Sequence, residues 1–379
     1  MRRRHALLIA ALPCTLARPS LAQSEAGVSA GEVVIGQSIA LQDGRNAYGV
    51  EALAGVTAVF DAVNATGGVQ GRRLVLRTLD DQNDAARAAA NARQLIAGGA
   101  FVLFGSIEGG PSTAMAAEAE SARVPFIGPM AGSPGLRRPH QRMVFPVRAE
   151  HREEFRALIG WARRIGLTRM ALLHSDSELG RAHLANTQTL CAEAGAQLAY
   201  GVPLKGDIDA AGLLQVVQRL QREPVQFMFN HGSAAVYGRL IGQARQAGVT
   251  TTFMGINSGS TELARALGPA ARGMVFAQVM PNPWSRRTAL VRDYQQTFRR
   301  QDGTRALSYA SLEGHATARA LEAALRLAGP SLSRARLVQV LEAADIDLGG
   351  LSLRYRPGDH EGARFADLAI VTRDGGFLQ

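Results

Sequence analysis

Short apolar runs alternate along this chain with longer segments in which apolar residues recur at every third or fourth position. The first kind of segment reads as a strand covered on both faces, the second as a helix with one buried face. Val33-Val34-Ile35 opens the series as a strand, and Leu53, Val56, Phe60 and Val63 then share one face of a helix. The cluster Asn64–Gly71 is a turn whose glycines accept positive φ, and Leu74-Val75-Leu76 resumes a strand that ends at Asp80-Asp81. A helix starts after Asp84, a good N-cap, and stops at Gly98-Gly99. Phe101–Phe104 is a fully apolar strand. The loop Gly105–Thr113 leads into a helix that Ser112 is placed to cap, and Val124–Ile127 is a further strand.

The alternation repeats after residue 148. Strands are expected at Met170–Leu173, Leu198–Val202, Val225–Phe229, Phe253–Met254 and Met274–Ala277, with helices near 151–164, 181–194, 209–221, 234–247 and 260–267. Such alternation predicts an α/β fold of parallel β-α-β units, and two series predict two similar doubly wound lobes. The last hundred residues differ, with helices near 287–300, 308–327 and 333–343 followed by strands at Leu351–Tyr355 and Leu368–Thr372. These segments are expected to return and complete the two lobes. At 379 residues the chain is too long for one core and about right for two.

Residues 1–22 read as a secretory signal peptide rather than as fold. Arg2, Arg3 and Arg4 precede the apolar run Ala6–Leu12, and Ser20-Leu21-Ala22 offers a cleavage site before Gln23. The arginines leave both the general and the twin-arginine export routes open. Pro13 argues against lipidation of Cys14. Removing the four arginines of this segment lowers the net charge from +10 to +6. Lys205 is the only lysine, and Arg87, Arg93, Arg163, Arg239 and Arg245 are scattered over helical faces without interleaved aromatics. That pattern is a solvated surface rather than a nucleic-acid footprint. No apolar run approaches the roughly 20 residues that span a bilayer. Cys191, left alone after cleavage, sits on an apolar stripe with Leu190 and reads as a small buried hydrophobe.

Signals for catalysis are weak. The glycine-rich loop Gly105–Thr113 lacks a P-loop lysine, and Ser258 in Gly255-Ile-Asn-Ser-Gly259 is off by one from a nucleophile elbow. His174 reads as a hydrogen-bonded histidine at a strand end. His140, His151, His183, His231, His315 and His360 form no pair with metal-ligand spacing. Trp161 and Trp284 read as packing residues. No metal, cofactor or enzymatic activity is expected.

The stretch Asn64-Ala-Thr-Gly-Gly-Val-Gln-Gly-Arg-Arg-Leu74, followed by Asp80-Asp81, resembles the periplasmic leucine/isoleucine/valine-binding proteins. So do Val34-Ile35-Gly36, Tyr48-Gly49, Val124-Pro125, Pro129-Met-Ala-Gly-Ser-Pro134, Gly238–Gly248 and Phe253-Met254-Gly255, in order. The resemblance implies a type I periplasmic binding fold, with lobe 1 formed by 32–147 and 280–352 and lobe 2 by 148–279 and 353–379. Three hinge crossings near 147, 279 and 352 join the lobes, and ligand is held between them. It also implies a monomer in the periplasm that passes a small-molecule ligand to an ABC permease in the inner membrane.

Carried over position by position, the resemblance implies ligand contacts at Tyr48, Glu108, Gly109, Ala131, Gly132, Ser133, Leu179, Ser233 and Asn257. Tyr48 and Ala131 match the family. Gly109 and Gly132 stand where amino-acid-binding relatives carry serine and threonine. Leu179 replaces a tyrosine, Ser233 lies near another tyrosine position, and Asn257 replaces the glutamate that pairs with the ligand's ammonium. Asn83 and Glu108 fill the positions of a family disulfide. Amides around Gly109, Ala131, Gly132 and Ser133 still suit a carboxylate, whereas an ammonium loses a charge-assisted bond of about 1.5–3 kcal/mol and a cation–π contact of up to about 2. The expected ligand is therefore a small carboxylate or amide-like metabolite, unless Glu108 restores the missing anion. The competing reading is a ligand sensor of the same fold acting with a signalling partner.

Overall fold

The computed structural model describes residues 25–379 apart from 206, 258, 259 and 374. The leader read over residues 1–22 and the Ser258 motif lie outside the described residues. The chain runs β1 (Glu32–Ile39), α1 (Ala47–Ala65), β2 (Arg73–Asp80), α2 (Ala85–Ala97), β3 (Val102–Phe104), α3 (Gly109–Ala122), β4 (Phe126–Ile127) and β5 (Val144–Phe145) through the first lobe. The second lobe follows with α4 (His151–Arg164), β6 (Arg169–Ser175), α5 (Glu178–Ala194), β7 (Gln197–Leu204), α6 (Ala210–Arg222), β8 (Phe227–His231), α7 (Ala234–Gln246), β9 (Thr252–Gly255), α8 (Ser260–Leu267) and β10 (Val275–Gln278). The remainder is α9 (Ala289–Gln301), α10 (Tyr309–Ala328), α11 (Arg334–Ala343), β11 (Asp345–Asp347), β12 (Ser352–Arg354), β13 (Asp367–Val371) and β14 (Phe377–Leu378).

The first sheet has the order β2-β1-β3-β4-β5, with every pairing parallel. The second has the order β14-β13-β10-β9-β8-β6-β7. Its β10-β9-β8-β6-β7 part is parallel, but β13 pairs antiparallel with β10 and β14 antiparallel with β13. The expected parallel β-α-β sheet thus gains an antiparallel edge there. A parallel neighbour needs a crossover connection, usually a helix, and the segment 355–366 before β13 holds no helix. Among the described residues β12 pairs only with β11 and joins neither large sheet.

Helices α9, α10 and α11 pack into the core of the first lobe, where Tyr294, Phe298, Leu312, Leu321 and Leu337 meet Val33, Ile35 and Phe104. The contact between α1 and α10 is close because both helices lack side chains there. A Cβ on Gly55 would lie 1.9 Å from the Ser311 carbonyl oxygen, and one on Gly314 would lie 2.0 Å from that of Ala52. This approach sets Tyr48, at the start of α1, beside Glu313 on α10. In α4 the spacing of Phe155, Leu158, Ile159 and Ala162 places all four in the core of the second lobe. Burying each of the three large side chains contributes about 1.5–3 kcal/mol, which fixes the helix start that carries His151 and Glu154.

α3 begins at Gly109, not after Ser112. Its N-cap position is Glu108, whose side chain makes no capping bond. The Ser112 hydroxyl instead meets Ser106 Oγ at 2.6 Å and donates to the Ile107 carbonyl at 3.2 Å. The first amides of α3 are thereby left facing the space between the lobes.

Candidate functional site

The two lobes enclose a cavity of about 730 Å³ at the C-terminal ends of their parallel strands, where ligands of open α/β sheets bind. The first lobe supplies Tyr48, the start of α3 (Gly109–Pro111) and Met130, Ala131 and Ser133 beyond β4. The second supplies Ser175 at the end of β6, Leu179 near the start of α5, Asn230–Ala235 at the junction of β8 with α7, and Glu262 on α8. Ser177 and Ser233 cap α5 and α7 by accepting from the Gly180 and Val236 amides. Three helix N-termini thus present partial positive charge to one cavity, a setting that favours a carboxylate or another acceptor.

Beneath the cavity lies a buried polar network that ties the lobes together. Arg148, in the crossing after β5, donates to Glu154 Oε2 at 2.7 Å and lies 3.7 Å from Glu313 Oε1. All three side chains are fully buried. Glu154 also accepts from the Asn257 amide at 2.8 Å and meets His151 Nδ1 at 2.6 Å. Glu313 Oε2 accepts from the Tyr48 hydroxyl and from Asn257 Nδ2, the latter at 3.1 Å. Burial is the largest influence on both carboxyls and raises their pKa, with Arg148 the leading opposing effect. His231 meets His151 at 4.5 Å between ring centroids and His183 at 3.7 Å. Burial, more than any neighbouring charge, pushes the pKa of all three histidines down, so they are neutral at pH 7.

Of the residues named from sequence, Tyr48, Glu108, Gly109, Ala131, Ser133, Leu179 and Ser233 lie on the cavity wall, and Gly132 and Asn257 do not. Gly132 is covered by His151, because a Cβ there would lie 2.7 Å from both the His151 amide nitrogen and Cγ. Asn257 is buried behind the wall, where Nδ2 donates to Glu313 and Tyr48 and Oδ1 meets no partner among the described residues. Sequence reasoning set aside His151 and His231, which line the cavity, and did not single out Arg148, Glu154 or Glu313. His174 Nδ1 donates to the Ser175 carbonyl, 2.9 Å away, as a strand-end histidine. Trp284 stacks on Phe377 and is not part of the cavity wall, and Cys191 is buried against Met170. No group of metal-ligating side chains occurs among the described residues.

Glu108 combines an exposed carboxylate on the cavity wall with φ +65° and ψ 143°. L-residues rarely adopt that region, and holding one there costs about 1–3 kcal/mol. The backbone is therefore strained at the point where the first lobe presents its helix amides.

The periplasmic binding protein family matches residues 32–376. A Leu/Ile/Val-binding protein of Citrobacter freundii is 24% identical over 235 residues, which is 61% of this chain and 63% of that protein. The match thus spans less than two thirds of that relative. An extracellular ligand-binding receptor from Verminephrobacter eiseniae superposes with a TM-score of 0.84 at 23% identity, covering 92% of this chain and all of the other. A fatty acid ABC transporter substrate-binding protein from Thermomonospora curvata gives 0.82 at 18% identity, covering 94% of this chain and 93% of its own. These likenesses show a type I periplasmic binding fold in two lobes. The family is one of solute-binding proteins rather than enzymes, and among the described residues no helix is long and apolar enough to cross a membrane. With the family matched over nearly the whole described chain and the cavity set between the lobes, this chain belongs to the periplasmic binding proteins.

Proposed function

We propose that this chain is the extracytoplasmic receptor of an ABC importer, exported after cleavage near Ala22, which captures a small organic solute between its lobes and hands it to an inner-membrane permease. One observation carries the reading: a cavity of small-molecule size faced by the N-termini of α3, α5 and α7 from both lobes. The ligand is a small carboxylate or amide-bearing metabolite rather than a branched-chain α-amino acid. Asn257, where related amino-acid receptors carry a glutamate, brings no charge and spends its Nδ2 donor on Glu313 and Tyr48, and Leu179 offers no aromatic face. The names of the relatives support either class, since one is named for leucine, isoleucine and valine and another for fatty acids.

A thermal-shift screen of the mature protein, stripped of ligand by unfolding and refolding, tests this reading. Amino acids, amides, aromatic acids and short dicarboxylates form the panel. A ligand at a thousand times its Kd adds about 4 kcal/mol of stability, seen as a shift of several degrees with a carboxylate or amide. A shift confined to leucine and its relatives overturns the ligand class and points to Glu108 as the anion. No shift with any member overturns solute capture of this kind.

A further inference from the structure

The cavity floor carries a histidine whose hydrogen-bonding role the fold fixes. His151, the first residue of α4, is 7% exposed and lines the cavity. Its ring is held on three sides. Nδ1 lies 2.6 Å from Glu154 Oε2, Cγ and Cδ2 rest on Gly132, and the His231 ring meets it edge-on. Glu154 already accepts from Arg148 Nη2 and the Asn257 amide. A carboxylate so supplied is an acceptor, so Nδ1 carries the proton and Nε2 keeps a lone pair. No described residue hydrogen-bonds to Nε2, the ring's remaining polar atom. Burial, then Arg148 and His183, holds the ring neutral.

We propose, building on the solute-binding reading above, that His151 sets ligand specificity by accepting at Nε2 a hydrogen bond from a hydroxyl or amide N–H next to the ligand's carboxylate. The helix amides around the cavity donate, and His151 supplies the complementary acceptor. A ligand without the donor leaves a buried lone pair unsatisfied, the kind of mismatch on which recognition sites discriminate most strongly. An ammonium placed there meets a neutral ring instead of a carboxylate. Gly132 belongs to the same arrangement, because any side chain at that position displaces the ring.

Calorimetry on the stripped mature protein tests this with matched compounds on isobutyl and phenyl side chains: the unsubstituted acid, the 2-hydroxy acid, the N-acetyl amino acid and the amino acid. The 2-hydroxy or N-acetyl member is expected to bind at least about tenfold more tightly than the unsubstituted acid, and more tightly than the amino acid. His151→Asn retains a donor for Glu154 and withdraws the acceptor from the cavity. It should compress that ratio to about threefold or less. A wild-type ratio within about threefold, an unchanged ratio in the variant, or an amino acid as tightest binder overturns the proposal. If the variant does not fold, the wild-type series decides alone. Binding without discrimination overturns only the role of His151, whereas no binding by any member overturns the proposed ligand class as well.

Discussion

Leu179, near the start of α5 in the second lobe, reaches across the cavity to Gly109, the first residue of α3 in the first lobe. A Cβ on Gly109 would lie 2.8 Å from Leu179 Cδ2. The two departures from the amino-acid-binding pattern therefore make one contact, a small residue facing an aliphatic tip. Gly109→Ser is expected to cost about 1 kcal/mol of ligand affinity, because the leucine tip must move before the lobes close. Adding Leu179→Ala should return most of that loss, giving a coupling of at least about 0.5 kcal/mol in a double-mutant cycle. Calorimetry with whichever panel compound binds measures it, and strictly additive losses would show that the two side chains do not meet in the closed state.

The backbone of Glu108 yields a second prediction. Replacing it by glycine relieves the positive φ and should stabilise the ligand-free protein by about 1 kcal/mol in urea denaturation. Glu108→Gln leaves the strain in place and removes only the charge. If the ligand carries no ammonium, its affinity should change by less than about threefold in Glu108→Gln. A loss beyond tenfold would assign Glu108 the role of counter-ion.

The two buried glutamates of the network should respond unequally to neutralisation. Glu154 serves Arg148, His151 and the Asn257 amide, so Glu154→Gln leaves a buried guanidinium without its nearest anion and should cost about 3–5 kcal/mol. Glu313→Gln keeps an acceptor for Tyr48 and Asn257 and should cost less than about 1 kcal/mol, since burial already penalises its charge. Chemical denaturation of both variants at pH 7 checks the order, and a Glu313→Gln loss equal to that of Glu154→Gln would refute it.

His183 gives a pH dependence whose sign can be worked out. Burial, followed by His231 and His174, pushes its pKa down to about 2, against about 6.5 in an unfolded chain. As pH falls, the unfolded state takes up this proton first. Stability from His183 is thus present above about pH 6.5 and lost between about 6.5 and 2, by up to about 1.4 kcal/mol per pH unit. No described residue bonds either ring nitrogen. His183→Leu should therefore match or exceed the parent at pH 7 and lose less stability between pH 7 and 5. Denaturation midpoints at the two pH values measure this, and equal losses in both proteins contradict it.

Much of the fold is legible in the sequence because apolar periodicity and helix stops are local signals. The helices expected near 287–300, 308–327 and 333–343 are found at Ala289–Gln301, Tyr309–Ala328 and Arg334–Ala343. The antiparallel placement of β13 is not local, since it depends on the end from which the chain re-enters the second sheet. At the site, residues carried over by position fall on the cavity wall except where a neighbour from elsewhere intervenes. Gly132 is covered by His151, and Asn257 is held by Glu313, more than fifty residues away. One signal for the network is visible in the chain: Glu313 is the one carboxylate between Ser308 and Ala318, on a stretch of helix that is otherwise uncharged at pH 7. Its partner Arg148 stands just past a strand end, where nothing local marks it as buried.

The most direct test of the account is a calorimetric titration of the stripped mature protein with leucine, isoleucine and valine beside the carboxylates and amides of the screen. The account predicts one-to-one binding of a carboxylate or amide, lost when Ala131→Trp fills the cavity, with the branched-chain amino acids at least about a hundredfold weaker. Sub-micromolar binding of leucine, isoleucine or valine would contradict it.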